Sequence, residues 1–516
     1  MKTVRALLLA LAWILALVLK AVSMSAERVI GAARACPALV RSDVRRLRRR
    51  PTRSSDHGLR RVTGPRDLGG VQARATAPDA PSTSSATAAG TGRKVSRNPK
   101  VCVVGGGFGG LYTALRLSTL VWPGNSKPEI TLVDQRDRFV FKPLLYELLT
   151  EELELDEVAP RFVDVLSRSG VRFQQGKVGE ILPRGEEDGE GKVRLEGGAE
   201  IDYDYLVVAF GSGTRLDNVE GAEENAMPFC NLEDAIGLKE YLRREAGEGR
   251  RPKLAVVGGG VNGVELAASL ADRCGDQALV QVITPGEDIL ESYPKDQRRN
   301  AWNALSAGGV EVRLGTKVRK IEKGAEDGGR YRLSVENAEC GEEVVEVDKV
   351  LWTAGQKPSP IPEGVRESGA PGGSGSPESS FFTRNESGNV VTDENLRMVD
   401  SSYVFALGDI AVLAGEKESK YAFTAQVAFQ QSDYVAWNVW STINNQPLLP
   451  FQYQHLGDMM SLGQSEATVA LPIGGLNLTG LPASLLRKTA YIYRMPTLEY
   501  TARLGFNWAS KLLMGK

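Results

Sequence analysis

Histidine is scarce in this chain, and its cysteines are not paired in sequence. The 516 residues include two histidines, His57 and His455, which all but excludes multi-histidine metal sites and His-based catalytic triads. CxxC and CxxxxC spacings are absent, so we expect neither a disulfide framework nor a redox-active dithiol. We therefore predict chemistry without a metal site and without thiol exchange. The five cysteines are Cys36, Cys102, Cys230, Cys274 and Cys340.

The formal net charge of −1 conceals a strong asymmetry along the chain. Residues 1–97 carry 19 Lys/Arg and 5 Asp/Glu, whereas residues 98–516 carry 44 and 59. The second part is acidic and is a poor candidate for binding nucleic acid. A chain of this length also predicts two or three domains.

The N-terminus has the composition of a targeting address. Basic residues precede fourteen apolar residues, Ala6 to Leu19, and small residues follow, so residues 1–26 suit a signal peptide. Residues 27–97 are rich in Arg, Ser and Ala and poor in acid, as in an organelle transit peptide. Together they resemble the bipartite leader of proteins sent to plastids with extra membranes; a mitochondrial address is the alternative. We exclude residues 1–97 from the predicted fold.

The predicted folded region opens with a dinucleotide-binding pattern. An apolar strand at 100–104 runs into a glycine-rich turn and a helix, and a second strand at 129–133 ends at Asp134. The turn lets a pyrophosphate approach the backbone at the helix N-terminus, and the terminal acid can hold ribose hydroxyls. The GxGxxG glycines are Gly105, Gly107 and Gly110.

The same pattern recurs about 150 residues later, after the apolar strand 253–257. Its glycines are Gly258, Gly260 and Gly263, but its second strand ends at Thr284 and no acid precedes Glu287. An acid there would repel a 2′-phosphate and select NADH. We therefore predict that NADPH is at least accepted; the alternative is that Glu287 folds back and restores a preference for NADH. Two complete patterns predict two sites, one for FAD and one for NADH or NADPH.

Three further apolar segments complete a flavoprotein pattern. They end at glycines that let backbone approach a cofactor, and their order is FAD half, NAD(P)H insert, FAD half. We predict an α/β protein with two Rossmann-like domains, the NAD(P)H domain inserted in the FAD domain. The glycines are Gly211, Gly355 and Gly408. The last segment resembles the strand of two-dinucleotide-binding-domain flavoproteins whose terminal Asp contacts the FAD ribityl chain, and the resemblance implies that role for Asp409.

One motif directs the interpretation toward quinones. Ala425-Gln426-Val427-Ala428-Phe429-Gln430 resembles the Ala-Gln-x-Ala-x-Gln segment of type II, non-proton-pumping NAD(P)H:quinone oxidoreductases. The resemblance covers residues 98–516. It implies that Ala425 lies at the cofactor and that Gln426 and Gln430, four apart on one helix face, hydrogen-bond quinone carbonyls. An ordinary helix N-terminus with exposed glutamines is the alternative.

Other segments most resemble the plant and algal chloroplast branch, class C. One of them is Arg138-Phe139-Val140-Phe141-Lys142-Pro143. The branch implies a plastid prenylquinone as acceptor, plastoquinone or a naphthoquinone precursor of phylloquinone, and attachment to thylakoids or plastoglobules. Pro143 is expected at the cofactor, and Lys142 stands where many members carry Thr; its cation either stabilises reduced flavin or is solvated. Glu265 resembles the family glutamate that positions nicotinamide or relays a proton; the alternative is a helix-start carboxylate.

The C-terminal tail mixes apolar and basic side chains. No run after residue 97 reaches the 18 apolar residues that a span needs, so Leu481 to Arg494 and Leu498 to Lys516 are predicted as amphipathic helices at a membrane surface. Packing on the body or a homodimer contact is the alternative, and the uses can coexist.

The predicted organisation follows from these motifs. Rival functions are a ferredoxin-reductase-like enzyme with a protein acceptor and a non-catalytic flavoprotein resembling apoptosis-inducing factor. The predicted segments after residue 97 are 98–232 (first FAD part), 233–355 (NAD(P)H domain), 356–455 (second FAD part with the quinone-site helix) and 456–516 (membrane or dimer region).

Overall fold

The computed structural model describes residues 98–514, apart from 125–126, 186–188, 325–328, 338, 363–380, 418 and 473–474. The predicted leader segments, 1–26 and 27–97, lie outside the described residues. So do Lys516 and the side chains of Leu512 and Leu513 in the predicted tail.

The first part of the fold alternates strands and helices and ends in a short strand. Its elements are β1 (Lys100–Val104), α1 (Phe108–Thr119), β2 (Glu129–Asp134), α2 (Leu145–Leu149), α3 (Leu155–Val158), α4 (Phe162–Leu166), β3 (Arg172–Gln175), β4 (Val178–Leu182), β5 (Gly191–Leu195), β6 (Glu200–Tyr203), β7 (Tyr205–Val208) and β8 (Ser212–Thr214).

The second part repeats the alternation. Its elements are α5 (Ala222–Asn225), β9 (Met227–Pro228), α6 (Leu232–Gly247), β10 (Lys253–Val257), α7 (Val261–Cys274), β11 (Leu279–Ile283), α8 (Lys295–Ala307), β12 (Glu311–Arg313), β13 (Thr316–Lys323), β14 (Tyr331–Asn337), β15 (Gly341–Val347), β16 (Lys349–Trp352) and β17 (Gln356–Pro358).

The third part returns to the first sheet and ends in helices. Its elements are β18 (Val390–Thr392), β19 (Val404–Ala406), β20 (Ala411–Leu413), α9 (Ala425–Ile443), β21 (Asp458–Ser461), β22 (Ala467–Ala470), β23 (Asn477–Thr479), α10 (Gly480–Tyr493) and α11 (Leu498–Met514).

Two five-stranded parallel sheets organise these elements. The first has the order β19-β7-β1-β2-β3 and the second β12-β11-β10-β16-β9. The chain leaves the first sheet through β8 and comes back through β17, and these two strands pair antiparallel. A second Rossmann-like unit is thus inserted in the first, as the sequence predicts. Because the central strands are covered on both faces, they are almost wholly apolar.

Helix α9 lies at the centre of the first unit and packs along α1. Thr424 caps its N-terminus, accepting a hydrogen bond from the backbone N–H of Val427 at 3.3 Å. Near its C-terminus Trp440 is 1% exposed and stacks on Trp437, with ring centroids 4.7 Å apart. The motif-bearing first turn of α9 is therefore held in a fixed place.

The C-terminal region packs against both units. Helix α10 lies on the antiparallel sheet β21-β22-β23 and contacts α11. Its Arg487 forms an ion pair with Glu147 of α2, so the tail is anchored in the body by a buried charge pair. Among the helices of the described residues, none combines the length and the hydrophobicity needed to cross a bilayer.

Candidate functional site

The two glycine turns have the same steric basis. A Cβ added at Gly110 would lie 1.8 Å from the carbonyl oxygen of Gly105, and one at Gly263 would lie 2.0 Å from that of Gly258. Only a residue without a side chain allows α1 and α7 to start so close to β1 and β10. The first and last glycines of each fingerprint are therefore explained by contacts inside the protein.

The middle glycines face open space instead. A Cβ added at Gly107 or Gly260 would meet no atom within 4 Å. Each caps its helix, α1 or α7, without a side-chain hydrogen bond, so the first backbone N–H groups are available to a ligand. Open space before an uncapped helix N-terminus fits the pyrophosphate of FAD at the first turn and of NAD(P)H at the second.

The residue at the end of the second strand, which lies beside the glycine turn, differs between the two units. Asp134 Oδ2 accepts a hydrogen bond from the backbone N–H of Gly106 at 2.6 Å, and burial raises the pKa of this carboxyl. Thr284 takes the corresponding place, since a Cβ at Gly259 would lie 2.7 Å from its Oγ1. Glu287 is exposed and does not fill that place. The second turn therefore lacks a carboxylate at the ribose position.

One large cavity, of about 1070 Å³, connects the two units. Twelve of the predicted site residues line it, and six, including all three glycines of the second turn, do not. The lining residues are Gly105, Gly107, Asp134, Lys142, Pro143, Gly211, Glu265, Gly355, Gly408, Asp409, Ala425 and Gln426. The six outside its lining are Gly110, Gly258, Gly260, Gly263, Thr284 and Gln430.

Asp409, the residue predicted to contact the FAD ribityl chain, is held by a hydrogen bond inside the protein. Ser212 Oγ donates to Asp409 Oδ2 at 2.6 Å, and the backbone N–H of Gly408 donates to Gln431 Oε1 at 2.6 Å. Burial raises the pKa of Asp409, and the nearby ammonium of Lys142 opposes that rise. Lys142 thus lines the cavity and brings a positive charge close to Asp409.

Cys230 lines the cavity beside Asn231, although no sequence motif marks it. The turn before α6 brings it there, because Asp234 accepts hydrogen bonds from the backbone N–H groups of both Cys230 and Asn231. Burial raises the pKa of its thiol, which favours the unreactive protonated form.

The two motif glutamines require a larger correction. Gln430 donates to the carbonyl oxygen of Gln454 at 2.7 Å and accepts from the N–H of the same residue at 3.0 Å. It is 6% exposed and does not line the cavity. The expectation that its amide contacts a quinone is therefore wrong for this arrangement: the amide pairs with backbone as a neighbouring strand would.

Gln426 does line the cavity, but most of its amide is occupied. Its Oε1 accepts from the Tyr453 hydroxyl at 2.8 Å and from the backbone N–H of Leu456 at 2.9 Å, and its Nε2 donates to the carbonyl of Gly457 at 3.1 Å. One N–H remains for a ligand. Both glutamines thus hold segment 453–457, which forms one wall of the cavity.

Glu265 lies where the cavity reaches α7. Its Oε1 accepts a hydrogen bond from the backbone N–H of Ser461 at 2.7 Å, and Tyr146 hydrogen-bonds its side chain. Burial raises the pKa of Glu265 to about 7. A carboxyl that titrates near neutrality beside a cavity is suited to proton transfer.

Aromatic and charged residues that the sequence did not single out complete the wall. They come from α2, β21 and α10 and from the loops after β2, before α8 and before β21, so neither spacing nor periodicity could mark them. The cavity-lining members are Arg136, Tyr146, Tyr293, Tyr453, His455, Asp458 and Tyr491. Across the described part of the chain, no group of three or more His, Cys, Asp or Glu residues is arranged to hold a metal ion.

Comparison with known proteins gives a consistent result. Residues 99–432 match the family model described as pyridine nucleotide-disulphide oxidoreductase. The chain is 43% identical over 434 residues to the alternative NAD(P)H-ubiquinone oxidoreductase C1, chloroplastic/mitochondrial, of Arabidopsis thaliana, covering 81% of each chain. It is 40% identical over 420 residues to the demethylphylloquinone reductase NdbB of Synechocystis, covering 80% of this chain and 96% of that one.

Solved structures share the fold at lower identity. NDH2 from Plasmodium falciparum, in complex with NADH, superposes with a TM-score of 0.65 at 17% identity and covers 80% of this chain and 98% of that one. The sulfide:quinone oxidoreductase from Aquifex aeolicus gives 0.58 at 19% identity, covering 76% and 89%. The predicted two-unit fold is confirmed.

The open space at the two middle glycines can be tested with a matched pair of variants. Gly107→Ala should fold normally but bind flavin at least about tenfold more weakly, a loss of about 1.4 kcal/mol, because the methyl group fills the space that the pyrophosphate needs. Gly260→Ala should keep its flavin and raise KM for the pyridine nucleotide by about tenfold. Gly247→Ala, at the exposed end of α6, is the control. Yellow, fully active Gly107→Ala protein would contradict the assignment.

Proposed function

We propose that this chain, which belongs to the pyridine nucleotide-disulphide oxidoreductase family and is a type II NAD(P)H:quinone oxidoreductase with FAD, reduces a plastid prenylquinone at a membrane surface. The observation that carries this proposal is the single cavity that joins the first glycine turn and the N-terminal residues of α7, Val261 and Asn262, to the wall held by the Ala-Gln-x-Ala-x-Gln helix. The acceptor has to enter that cavity. A wall rich in tyrosine and backbone suits a flat ring with two carbonyl groups.

The residues that would hold FAD are those of the first turn. Asp134 is placed for the adenosine ribose, the N-terminus of α1 for the pyrophosphate, and Asp409 for the ribityl chain. FAD supplies two-electron chemistry when bound, so that hydride from NAD(P)H can be passed on to a quinone without metal or thiol. The ammonium of Lys142, close to Asp409, would add positive charge where reduced flavin carries negative charge.

The glutamines are proposed to act by shaping the quinone site. Gln426 and Gln430 bind segment 453–457 through five hydrogen bonds, which fixes Tyr453 at the cavity wall. The remaining N–H of Gln426 is the group we assign to a quinone carbonyl. Gln430 then contributes by positioning, because its amide pairs with the backbone of Gln454 and does not line the cavity.

Glu265 is proposed to supply or hold the proton that accompanies electron transfer. Quinone reduction by hydride consumes one further proton, and Glu265 is protonated below about pH 7. Its place on the second turn of α7, close to the second glycine turn, also puts it near the nicotinamide end of the donor. The proton donor and the hydride donor thus meet at one end of the cavity.

Membrane docking is assigned to the C-terminal helices, in a plastid, at the thylakoid or plastoglobule surface. Leu498 and Phe506 of α11 are 87% and 78% exposed, the most exposed of the large apolar side chains in the described residues. Arg503 between them is exposed too. Exposed apolar groups with a basic neighbour suit an interface with anionic lipid. A prenylquinone stays in the bilayer, so its reductase has to come to it.

The quinone itself is assigned by analogy. The Synechocystis relative is named for demethylphylloquinone and the Arabidopsis relative for ubiquinone; for this chain we propose plastoquinone or a naphthoquinone of the phylloquinone series. Purified enzyme should be assayed with NADH and NADPH against a short-chain plastoquinone, a naphthoquinone and a ferredoxin. Quinone-dependent turnover without ferredoxin reduction is expected. Ferredoxin reduction alone, or a long-lived reduced flavin that quinones do not reoxidise, would overturn the proposal.

Cofactor choice should follow from the residue at the end of β11. In Thr284→Asp the carboxylate takes the place that Asp134 has in the first unit and repels the 2′-phosphate of NADPH. We expect KM for NADPH to rise by about tenfold or more while KM for NADH changes little. Thr284→Ser is the control. Equal KM values for NADPH in the two variants would refute the role of this position.

Proton supply by Glu265 predicts a specific pH dependence. Its carboxyl is protonated below about pH 7, so the quinone-dependent rate should fall as the pH rises through that value. In Glu265→Gln the rate should drop by about 10²-fold and lose this limb, since the amide does not titrate. Stopped-flow reoxidation of the reduced enzyme by quinone, recorded from pH 5 to 9, measures both effects. A limb that persists in Glu265→Gln would assign the titration to another group.

Membrane docking can be separated from chemistry by changing exposed side chains. The double variant Leu498→Asp/Phe506→Asp should lower the fraction bound to vesicles of neutral and anionic lipid by about tenfold, because each side chain gains roughly 1.5–3 kcal/mol on burial. Turnover of a water-soluble quinone should be unchanged. Val344→Asp, at a position 58% exposed on β15, is the matched control. If the double variant binds vesicles normally but loses a dimer in solution, α11 is a subunit interface.

A further inference from the structure

A buried ion pair joins the tail to the wall of the active cavity. Arg487 of α10 and Glu147 of α2 are 1% and 3% exposed and lie in direct contact. The guanidinium carbon of Arg487 also lies 5.2 Å from the ring centroid of Tyr491, whose side chain lines the cavity. A buried pair of this kind contributes little net stability, so stability alone does not account for it.

Glu265 lies beside this pair. Tyr146, the neighbour of Glu147 on α2, hydrogen-bonds Glu265, and both Arg487 and Glu147 act on its carboxyl electrostatically. The pair therefore shares one low-dielectric region with the carboxyl that we assign to proton transfer, and the effect of each charge there is large.

The charges in this region do not balance. One buried cation, that of Arg487, faces the buried carboxyl groups of Glu147 and Glu265. Only Glu147 is in direct contact with it. A second unpaired carboxylate in the same region would be costly, so Glu265 is kept in its protonated form until the pH approaches neutrality. The titratable and polar groups that face Glu265 are Tyr146 and Glu147 from α2, Tyr293 before α8, Arg487 and Tyr491 from α10 and the Ser461 N–H of β21, with Asp458 at the start of that strand.

We propose that Arg487 and Glu147 are positioning residues that set the protonation state of Glu265, with Glu147 withholding the cation of Arg487 from it. Helix α10 is then part of the reaction site as well as of the tail. This inference rests on the proposed role of Glu265. It also explains the partial hydrogen bonding of the pair: Glu147 Oε2 and Arg487 Nη1 are buried without a partner in the described structure. A pair retained for stability alone would be expected to satisfy them.

Charge-removing variants separate this role from a structural one by the sign of their effects. Glu147→Gln frees Arg487 to stabilise the Glu265 carboxylate, so the apparent pKa of Glu265 should fall by about one unit or more. In Glu147→Gln/Arg487→Met both charges are gone, and the pKa should return toward the wild-type value. In Glu147→Gln the Glu265 carboxylate becomes the partner of Arg487, and the double variant leaves no charge of the pair buried. Arg487→Lys keeps the cation and should keep the wild-type profile.

The measurement is an infrared titration of the protonated carboxyl band of the FAD-loaded enzyme without quinone, with Glu265→Gln used to assign the band. Arg487→Met provides a further reading: it should gain a second protonated carboxyl, that of Glu147. The pH limb of quinone turnover should move with the band. A band that titrates at the same pH in wild type, Glu147→Gln and the double variant would overturn the proposal. A band that shifts as described while Glu265→Gln turns over quinone normally would instead overturn only the role of Glu265 in catalysis.

Discussion

The contact between the last glycine of each fingerprint and the carbonyl of the first is the constraint on which the rest of the structure depends. With 1.8 Å and 2.0 Å between a built Cβ and that oxygen, α1 and α7 can begin directly against their strands only at Gly110 and Gly263. This brings both helix N-termini to the carboxyl edges of the two sheets, where open space remains in front of Gly107 and Gly260. Because one unit is inserted in the other through β8 and β17, both edges contribute to a single cavity.

The cavity determines which charged side chains can meet a ligand. Asp134 and Asp409 are each fixed by a hydrogen bond at 2.6 Å, and each has a pKa raised by burial. Their oxygens are thus held for a ligand in a place where bulk water would otherwise compete. Glu265 differs from them, because its neighbours are a buried ion pair and a tyrosine. Under the proposed function, similar carboxyl groups therefore serve recognition in two places and proton transfer in the third.

Much of this arrangement could be read from the sequence, because its signals are local. The glycine turns, the terminal acid of β2 and the missing acid after β11 are patterns within about thirty residues, and the predicted strand–turn–helix elements form around both turns. The glutamine motif is correctly predicted to form one helix face, but its partners at 453–457 are invisible to spacing, so the pairing of Gln430 with the backbone of Gln454 could not be predicted. Glu147 and Arg487 are 340 residues apart; only the packing of α10 on the body makes them a pair.

The hydrogen bonds that Gln426 and Gln430 make to segment 453–457 help to explain how the C-terminal tail is attached to the body. If Gln426 and Gln430 only bound ligand, segment 453–457 would need other anchors. Because they bind that segment, the wall of the cavity depends on α9. The strand that follows the wall, β21, carries the N–H that binds Glu265. The same sheet supports α10, which carries Arg487. A displacement of α10 would therefore act on Glu265 in two ways, through β21 and through the charge of Arg487. Under the proposed function, helices that dock on a membrane are thus connected by short, buried contacts to Glu265, which would tie access of the quinone to the supply of its proton.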